Sequence, residues 1–306
     1  MRGPGRARLV ELTTWAASVP VVSPHGRTSA PVRCGVLSQT PSLPVAQNLV
    51  EALDVEELDR DLFRGPVTAN TSGRPSLYGG QVAGQALRAA GLTVPPDRAP
   101  HSLHGYFLRP GKVDRPVILR VSRDRDGRSF SSRRVVAVQD GEVIFSMLAS
   151  FHVREESGSY ETEGPDDIAG PEDLRTGWAA LFLEVRVVAG TDAVDVTQRA
   201  SDRMWVRVPT QMPADRLLHA CALTYMSDLG TGFGRLAIEG LPAGGPSIDH
   251  AVWFQQDVRA DDWVLLDLWP MKAGAARGVY LGTLRGRDGA LAAMLAQEML
   301  LRPPPE

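Results

Sequence analysis

"RPVILRVSRDRDGRSFSSRRVVAVQDGEVIFSMLASFHV", from Arg115 to Val153, is the stretch that decides the fold class. Short runs of β-branched and aromatic residues are broken at Asp126-Gly127 and Asp140-Gly141, dipeptides that favour tight hairpins, so an antiparallel meander is expected. Upstream, "LYGGQVAGQALRAAGLTV" (Leu77 to Val94) places Val82, Leu87 and Ala90 among small residues and predicts a helix entered through a glycine pair and ended near Gly91. "HSLHGYFLRPG" (His101 to Gly111) leads from that helix into the strands. One helix followed by antiparallel strands is an α+β unit rather than a doubly wound one.

The same order returns in the second half. A helix from Asp215 precedes "SIDHAVWFQQDVRADDWVLLDLWP" (Ser247 to Pro270) and "ARGVYLGTLRGRDGALAAMLAQEMLL" (Ala276 to Leu301), which carries its own Asp288-Gly289 turn. "VILRV" (Val117 to Val121) answers "VLLDL" (Val264 to Leu268), and "SSRRV" (Ser131 to Val135) answers "AARGV" (Ala275 to Val279). Conserved order and spacing within one chain argue for a duplicated unit. Between the halves, "REESGSYETEGPDDIAGPEDL" (Arg154 to Leu174) is acidic and rich in Gly and Pro, as a solvated linker is, while "FLEVRVVAG" and "DRMWVRVPT" read as opening strands of the second unit. The expected organisation is an extension over residues 1–45, a first unit over 46–155, a linker over 156–179, and a second unit over 180–306.

The 306 residues, 43% of them apolar, suffice for a large packed core. A net charge of -3 leaves no basic excess for nucleic acid, and no apolar run approaches the length of a bilayer span. Neither nucleic acid nor membrane insertion is expected. Cys34 and Cys221 alone provide neither a disulfide framework nor a metal-binding spacing, which fits a reducing cytoplasm. The first 45 residues carry Arg2, Arg6, Arg8, Arg27 and Arg33 against the single acid Glu11, with no clean apolar signal core. They read as a disordered extension or an upstream start rather than a targeting signal.

Nucleotide-binding and serine-hydrolase signatures are missing from their required contexts. "GFGRLA" (Gly232 to Ala237) fits a dinucleotide fingerprint but follows a helix instead of a strand. No nucleophile elbow of the G-x-S-x-G type occurs.

Three polar residues stand where the pattern wants apolar ones. In "DRLLHACALTYMSDLG" (Asp215 to Gly230), helical spacing puts Leu217, Cys221, Thr224 and Asp228 on one line, so a carboxylate points toward the core. In the last strand, Leu291, Ala293, Leu295, Gln297, Met299 and Leu301 alternate onto one face, and Gln297 interrupts the apolar row. At "SIDHAVWF", alternation groups Ser247 with Asp249, Ala251 and Trp253, opposite Ile248, His250, Val252 and Phe254. Singly, each polar residue has an ordinary structural use, as a turn, a strand start or a partner for a backbone group. Together, one polar pocket in the second unit would satisfy all three.

From about Asn48 to Arg302 the chain resembles the type II acyl-CoA thioesterases, a bacterial group with peroxisomal relatives. "LFRG", "YGGQVAGQAL", "HSLHGYFLRPG", "SFSSRRVVAVQDGEVIF", "ASFHV", "YMSDLG", "SIDHAVWF", "ARGVYLG" and "AQEMLLR" occur in that family's order. The resemblance implies a double hot-dog fold, two tandem units each with a central helix wrapped by an antiparallel sheet. It also implies a catalytic aspartate in "SDL", a hydroxyl directly before "IDH" and a glutamine before the acid of the last strand. These are Asp228, Ser247 and Gln297. The family commonly has threonine at the hydroxyl position. Serine keeps donor and acceptor but loses the methyl that restricts the rotamer.

The implied chemistry is hydrolysis of fatty acyl-CoA to fatty acid and CoA, in lipid metabolism, with no metal or organic cofactor. Asp228 would act as base on a water held by Ser247 and Gln297. The glycines of "YGGQ", Gly79 and Gly80, would let a thioester approach a helix N-terminus that polarises its carbonyl, or serve simply as a helix entry. Covalent routes through Ser247 or Cys221 lack an adjacent base. Arg109, Arg133, Arg134 and Arg277 are candidates for the CoA phosphates; His104 and His250 read as structural hydrogen-bonders. The rival pair Asp249 and His250 would point to opposite faces. A hot-dog hydratase or dehydratase, or a noncatalytic acyl-CoA-binding protein, is the alternative reading. Edge strands of such units suggest a homodimer or higher homo-oligomer.

Overall fold

The computed structural model describes residues 45–68, 76–166, 168–175, 177–188, 201–234, 236, 239–242 and 244–302. The expected extension, save Val45, lies outside them, as does part of the "GFGRLA" motif. Residues 43–306 form one compact unit.

In chain order the elements are β1 (Val45–Ala46), α1 (Leu49–Leu53), β2 (Glu56–Asp59), β3 (Leu62–Gly65), β4 (Val67–Thr68), α2 (Gly79–Gly91), β5 (Arg98–Phe107), β6 (Val117–Asp126), β7 (Phe130–Gln139) and β8 (Glu142–Val153). There follow β9 (Trp178–Ala180), β10 (Leu183–Val187), β11 (Asp202–Arg207), α3 (Arg216–Ser227), β12 (Asp249–Phe254), β13 (Val264–Gly274), β14 (Arg277–Gly286) and β15 (Leu291–Leu300). Thirteen strands make one antiparallel sheet in the order β2-β3-β6-β7-β8-β5-β12-β15-β14-β13-β11-β10-β9, while β1 and β4 pair in parallel apart from it. The halves join where β5 meets β12, from Asp249 opposite Tyr106 to Trp253 opposite Ser102.

Helix α2 packs on β5 to β8, and α3 packs beside it against β5 and β12. Small residues in α2 let the two helices approach to backbone contact. A Cβ added at Gly84 would lie 3.0 Å from the Cys221 carbonyl oxygen and 2.9 Å from a Leu53 methyl. A mid-helix glycine costs about 0.5–1 kcal/mol relative to alanine, and here the close packing it permits offsets that loss. Beneath α2, Phe145 is fully buried against Phe107, with ring centroids 4.7 Å apart. Burying such a ring contributes roughly 1.5–3 kcal/mol.

The expected turn at Asp140-Gly141 joins β7 to β8 with both residues in the left-handed region, φ 50° and 82°. A second two-residue turn joins β13 to β14 through Ala275 and Ala276, φ 50° and 59°. Alanine pays about 1–2 kcal/mol in that region and gives no turn signal in sequence, so the stretch read as strand is a hairpin tip. Strand pairing also corrects the internal match. Val121 pairs with Val135, and its counterpart Leu268 pairs with Gly282. "SSRRV" therefore answers "GVYLG" (Gly278 to Gly282), three residues beyond the sequence match, and Arg133 corresponds to Tyr280.

Candidate active site

Helix α3 ends at Ser227. Asp228 is its C-cap, with φ -92° and ψ 9°, and Gly230 at φ 75° turns the chain away. The acid therefore stands half-buried just past the helix, whereas Cys221 and Thr224 on the predicted stripe are fully buried. A carboxylate at the negative end of a helix macrodipole is unfavourable by about 0.3–1 kcal/mol and needs donors.

Three donors reach it. Ser247 Oγ donates to Asp228 Oδ1 at 3.1 Å, Gln297 Nε2 donates to the same oxygen at 3.0 Å, and the Gly80 N–H donates to Oδ2 at 2.8 Å. Gln297 Nε2 also donates to Ser247 Oγ at 2.6 Å. Both amide protons of Gln297 are thus committed, and Ser247 accepts one hydrogen bond and donates one to the acid. The structure brings all three predicted residues into mutual hydrogen-bond contact.

Each arrives by a different route. Gln297 projects inward from β15 as its alternation predicts, and is 2% exposed. Ser247 precedes β12 and bridges Met299. From the Ala251–Ala296 pair to that bridge, β12 advances four residues against three in β15, and the slip turns Ser247 inward. Ser247 thus leaves the Asp249 face on which alternation placed it. Asp249 instead accepts the Glu298 N–H at 2.7 Å.

The fourth contributor comes from the first half and was not legible as a ligand of the acid. Tyr78 is the N-cap of α2, and its side chain makes no capping bond to the first N–H groups of the helix, leaving that N-terminus open toward Asp228. Its hydroxyl donates to the Tyr225 carbonyl in the last turn of α3 at 2.8 Å. A Cβ at Gly79 would stand 2.8 Å from Asp228 Oδ2, and one at Gly80 would stand 2.5 Å from the Tyr225 oxygen. The glycine pair is what lets the positive end of one helix meet the acid at the negative end of the other.

The opposite pairing of helix ends is closed. Asp215 caps α3 itself, accepting the Leu217 and Leu218 N–H groups at 2.9 and 3.2 Å, and takes Arg88 Nη1 at 2.6 Å. Burial raises the Asp215 pKa, but the Arg88 hydrogen bond and charge and these two N–H groups overcome it and hold the acid below the usual range. A Cβ at Gly91 would collide with Leu217 at 2.4 Å. Arg133, a phosphate candidate by sequence, is fully buried there, bound to Thr93 Oγ1 at 2.8 Å and Asp126 Oδ1 at 2.8 Å. It cannot meet a solvent-borne phosphate.

Of the remaining candidates, Arg109, Arg134 and Arg277 are surface groups paired with Glu142, Asp124 and Glu298. His104 packs edge-on to Trp253 at 5.0 Å. His250 is buried with Nε2 2.7 Å from Ser227 Oγ. Cys221 is buried, and desolvation pushes its thiol far up, out of reach of a nucleophilic role. A cleft of about 340 Å³ opens beside the N-terminal half of α3, lined by His101, Arg216, His219 and Phe254 among others, and none of the three site residues lines it. The cleft's one acid, Asp257, is paired with Arg154 and Arg216.

Residues 67–152 match the family model of the acyl-CoA thioesterase N-terminal domain, and residues 161–301 match that of the C-terminal domain. Acyl-coenzyme A thioesterase 8 of Mus musculus is 34% identical over 84% of this chain and 90% of its own. The crystal structure of an acyl-CoA thioesterase II, TesB2, from Mycobacterium marinum is 40% identical and superposes with a TM-score of 0.71, covering 84% of this chain and 97% of that one. A hot-dog-fold protein of unknown function from Alicyclobacillus acidocaldarius, 23% identical, has the same fold at a TM-score of 0.68 over 84% and 98% of the chains. These likenesses first define the class, an enzyme whose structural neighbours have the hot-dog fold. The chain belongs to the acyl-CoA thioesterase family.

Proposed function

We propose that this enzyme hydrolyses fatty acyl-CoA to fatty acid and CoA through a water activated directly by Asp228. The observation that carries the reading is the convergence of Ser247, Gln297 and Gly80 on one carboxylate. A water entering this cluster gives its proton to Asp228 while Ser247 and the Gln297 amide orient it toward the thioester carbon. The incoming water displaces a Gln297 hydrogen bond within the cluster, and the freed amide proton, with the N–H groups of the α2 N-terminus, serves the developing oxyanion. No acyl-enzyme forms on this route.

The reading includes a double hot-dog arrangement, with units at 46–155 and 180–306 joined by a linker at 156–179. It also includes a homodimer or higher homo-oligomer working in the cytoplasm in fatty acid metabolism. Support for the duplication comes from the matching helices and from the paired registers of β6-β7-β8-β5 and β13-β14-β15-β12. Thiol release from acyl-CoAs of graded chain length tests the activity. Release with a length optimum is expected. Binding without release would indicate a noncatalytic acyl-CoA carrier, and hydration of an enoyl-CoA without release would indicate a hydratase.

A further inference from the structure

The β5–β12 junction is a local two-fold axis, since Tyr106 pairs with Asp249 as Trp253 pairs with Ser102. The same operation gives each group of the active site a counterpart at the opposite pairing of helix ends. Pro100 faces Phe151 on β8 as Ser247 faces Met299 on β15. Ala149 pairs with Arg133 as Gln297 pairs with Tyr280. A Cβ at Gly91 would touch Leu217 at the start of α3, as one at Gly79, at the start of α2, would touch Asp228. Acid, hydroxyl and amide are thus replaced by glycine, proline and alanine. The α3 N–H groups that could polarise a carbonyl are committed to Asp215.

This counterpart has lost the groups for hydrolysis but keeps its space. Pro100 lines the cleft of about 340 Å³ beside α3. So does Phe254, which follows Trp253 as Phe107 follows Tyr106, and so does Arg216, the first residue of α3 as Gly79 is the first of α2. A volume at the small end of ligand clefts gives room for an acyl chain and a compact head rather than for a whole acyl-CoA.

The walls grade from charged to apolar. Arg216, Ala220 and Leu223 line the cleft at steps of four and three residues, which places them along one face of α3. The helix rises about 10 Å over that distance. Phe254 and Val258 continue the apolar wall. At the charged end, Arg154 and Arg216 share the single acid Asp257, at 3.4 and 2.8 Å, which leaves one positive charge in excess. Arg259, the cleft's third arginine, is matched by Asp261. Arg154, Arg216 and Asp257 are about half exposed or more, and ion pairs so exposed hold weakly, so an incoming anion can share both guanidinium groups.

We propose that this cleft is a second, nonhydrolytic site that binds a fatty carboxylate, with its chain along Ala220, Leu223 and Phe254 and its head at Arg216 and Arg154. The choice of ligand rests on the thioesterase reading, whose product is a carboxylate of this kind. The cleft itself selects an anionic head on an apolar chain. An acyl-CoA presents the same chain beneath a bulkier anion, and the two are separable by competition.

Photolabelling of the full chain with a decanoate carrying a terminal diazirine, followed by peptide mapping, tests the site, and calorimetry with decanoate and decanol tests the head. Label is expected on peptides containing Ala220, Leu223 or Phe254, displaced by decanoate. Decanol, lacking the charge, is expected to bind at least about tenfold more weakly. Arg216→Glu is expected to weaken decanoate at the cleft by about tenfold or more, and Ala220→Phe, which fills the cleft, to remove the label there. Thiol release by both variants is expected to stay within about twofold of wild type, because neither residue touches the Asp228 cluster. Label confined to peptides around Asp228 and Gln297, equal binding of decanol, or label at the cleft untouched by Arg216→Glu would overturn the proposal. Displacement of the cleft label by a nonhydrolysable decanoyl-CoA thioether but not by decanoate would overturn the carboxylate in favour of acyl-CoA. Absence of thiol release from the wild type would instead overturn the thioesterase reading, and the position of the label would still decide this one.

Discussion

The Gly80 N–H and the Asp228 carboxylate lie 148 residues apart in sequence and 2.8 Å apart in space. The second half of the chain provides the acid, hydroxyl and amide, and the first half provides a helix N-terminus that meets the acid. The site exists only when α2 and α3 pack side by side and antiparallel, the N-terminus of one beside the C-terminus of the other.

A methyl group at Gly79 should separate them. It would stand 2.8 Å from Asp228 Oδ2 and 3.0 Å from the Phe107 ring. Gly79→Ala is expected to reduce kcat by about a hundredfold, the usual cost of a misplacement near 1 Å, with far-UV circular dichroism unchanged. Full activity would show that the close approach of α2 is incidental.

The hydroxyl of Ser247 links Gln297 to Asp228. Ser247→Thr is expected to keep kcat within about threefold, since threonine retains donor and acceptor and restricts the rotamer. Ser247→Ala should cost about 10²-fold, the lower end of what a positioned proton-handling group contributes. Mass spectrometry of a quenched turnover should find no acyl group on Ser247, and an acylated serine would replace the direct-water route with a covalent one.

Cys221 is expected to be inert. It is fully buried, and desolvation raises its thiol far above the ordinary value. In a Cys34→Ser variant, a thiol reagent should label nothing until denaturant is added, with turnover unaffected throughout. Fast labelling that abolishes turnover would reopen a role for the thiol.

Stability should fall as the medium is acidified below pH 6.5. Burial lowers His219 below its ordinary 6.5, against the pull of Asp261, and its Nδ1 accepts the Ala260 N–H at 3.1 Å. The unfolded chain therefore takes up the proton first. The contribution is fully present above 6.5 and is lost as pH falls toward the folded-state value. His101 and His250, also lowered chiefly by burial, add in the same direction. Urea midpoints should drop between pH 7 and 5, and His219→Asn should flatten part of that slope. A midpoint independent of pH in this window would contradict the assignment.

Much of this was legible in the sequence, for physical reasons. Asp140-Gly141 announced its hairpin because both residues accept positive φ, whereas Ala275-Ala276 makes the same turn with side chains that carry no such signal. Gln297 was visible because strand alternation is strict. Helical spacing found Asp228 although the helix stops at Ser227, since a C-cap still lies close to the last turn's direction. Ser247 was singled out, but alternation put it on the wrong face, because a register slip is invisible to alternation. Gly80 reads in sequence as part of a helix N-terminus for the thioester carbonyl, and its bond to Asp228 was hidden because a backbone N–H acts there across a helix-to-helix contact.

Turnover by Asp228→Asn tests the central claim most directly. The amide keeps the size of the side chain but cannot take a proton from water, and loss of a general base typically costs 10²–10⁴-fold. The account predicts that thiol release from acyl-CoA falls by at least about 10²-fold while substrate binding and the folded state persist. Turnover within a few-fold of wild type would contradict it.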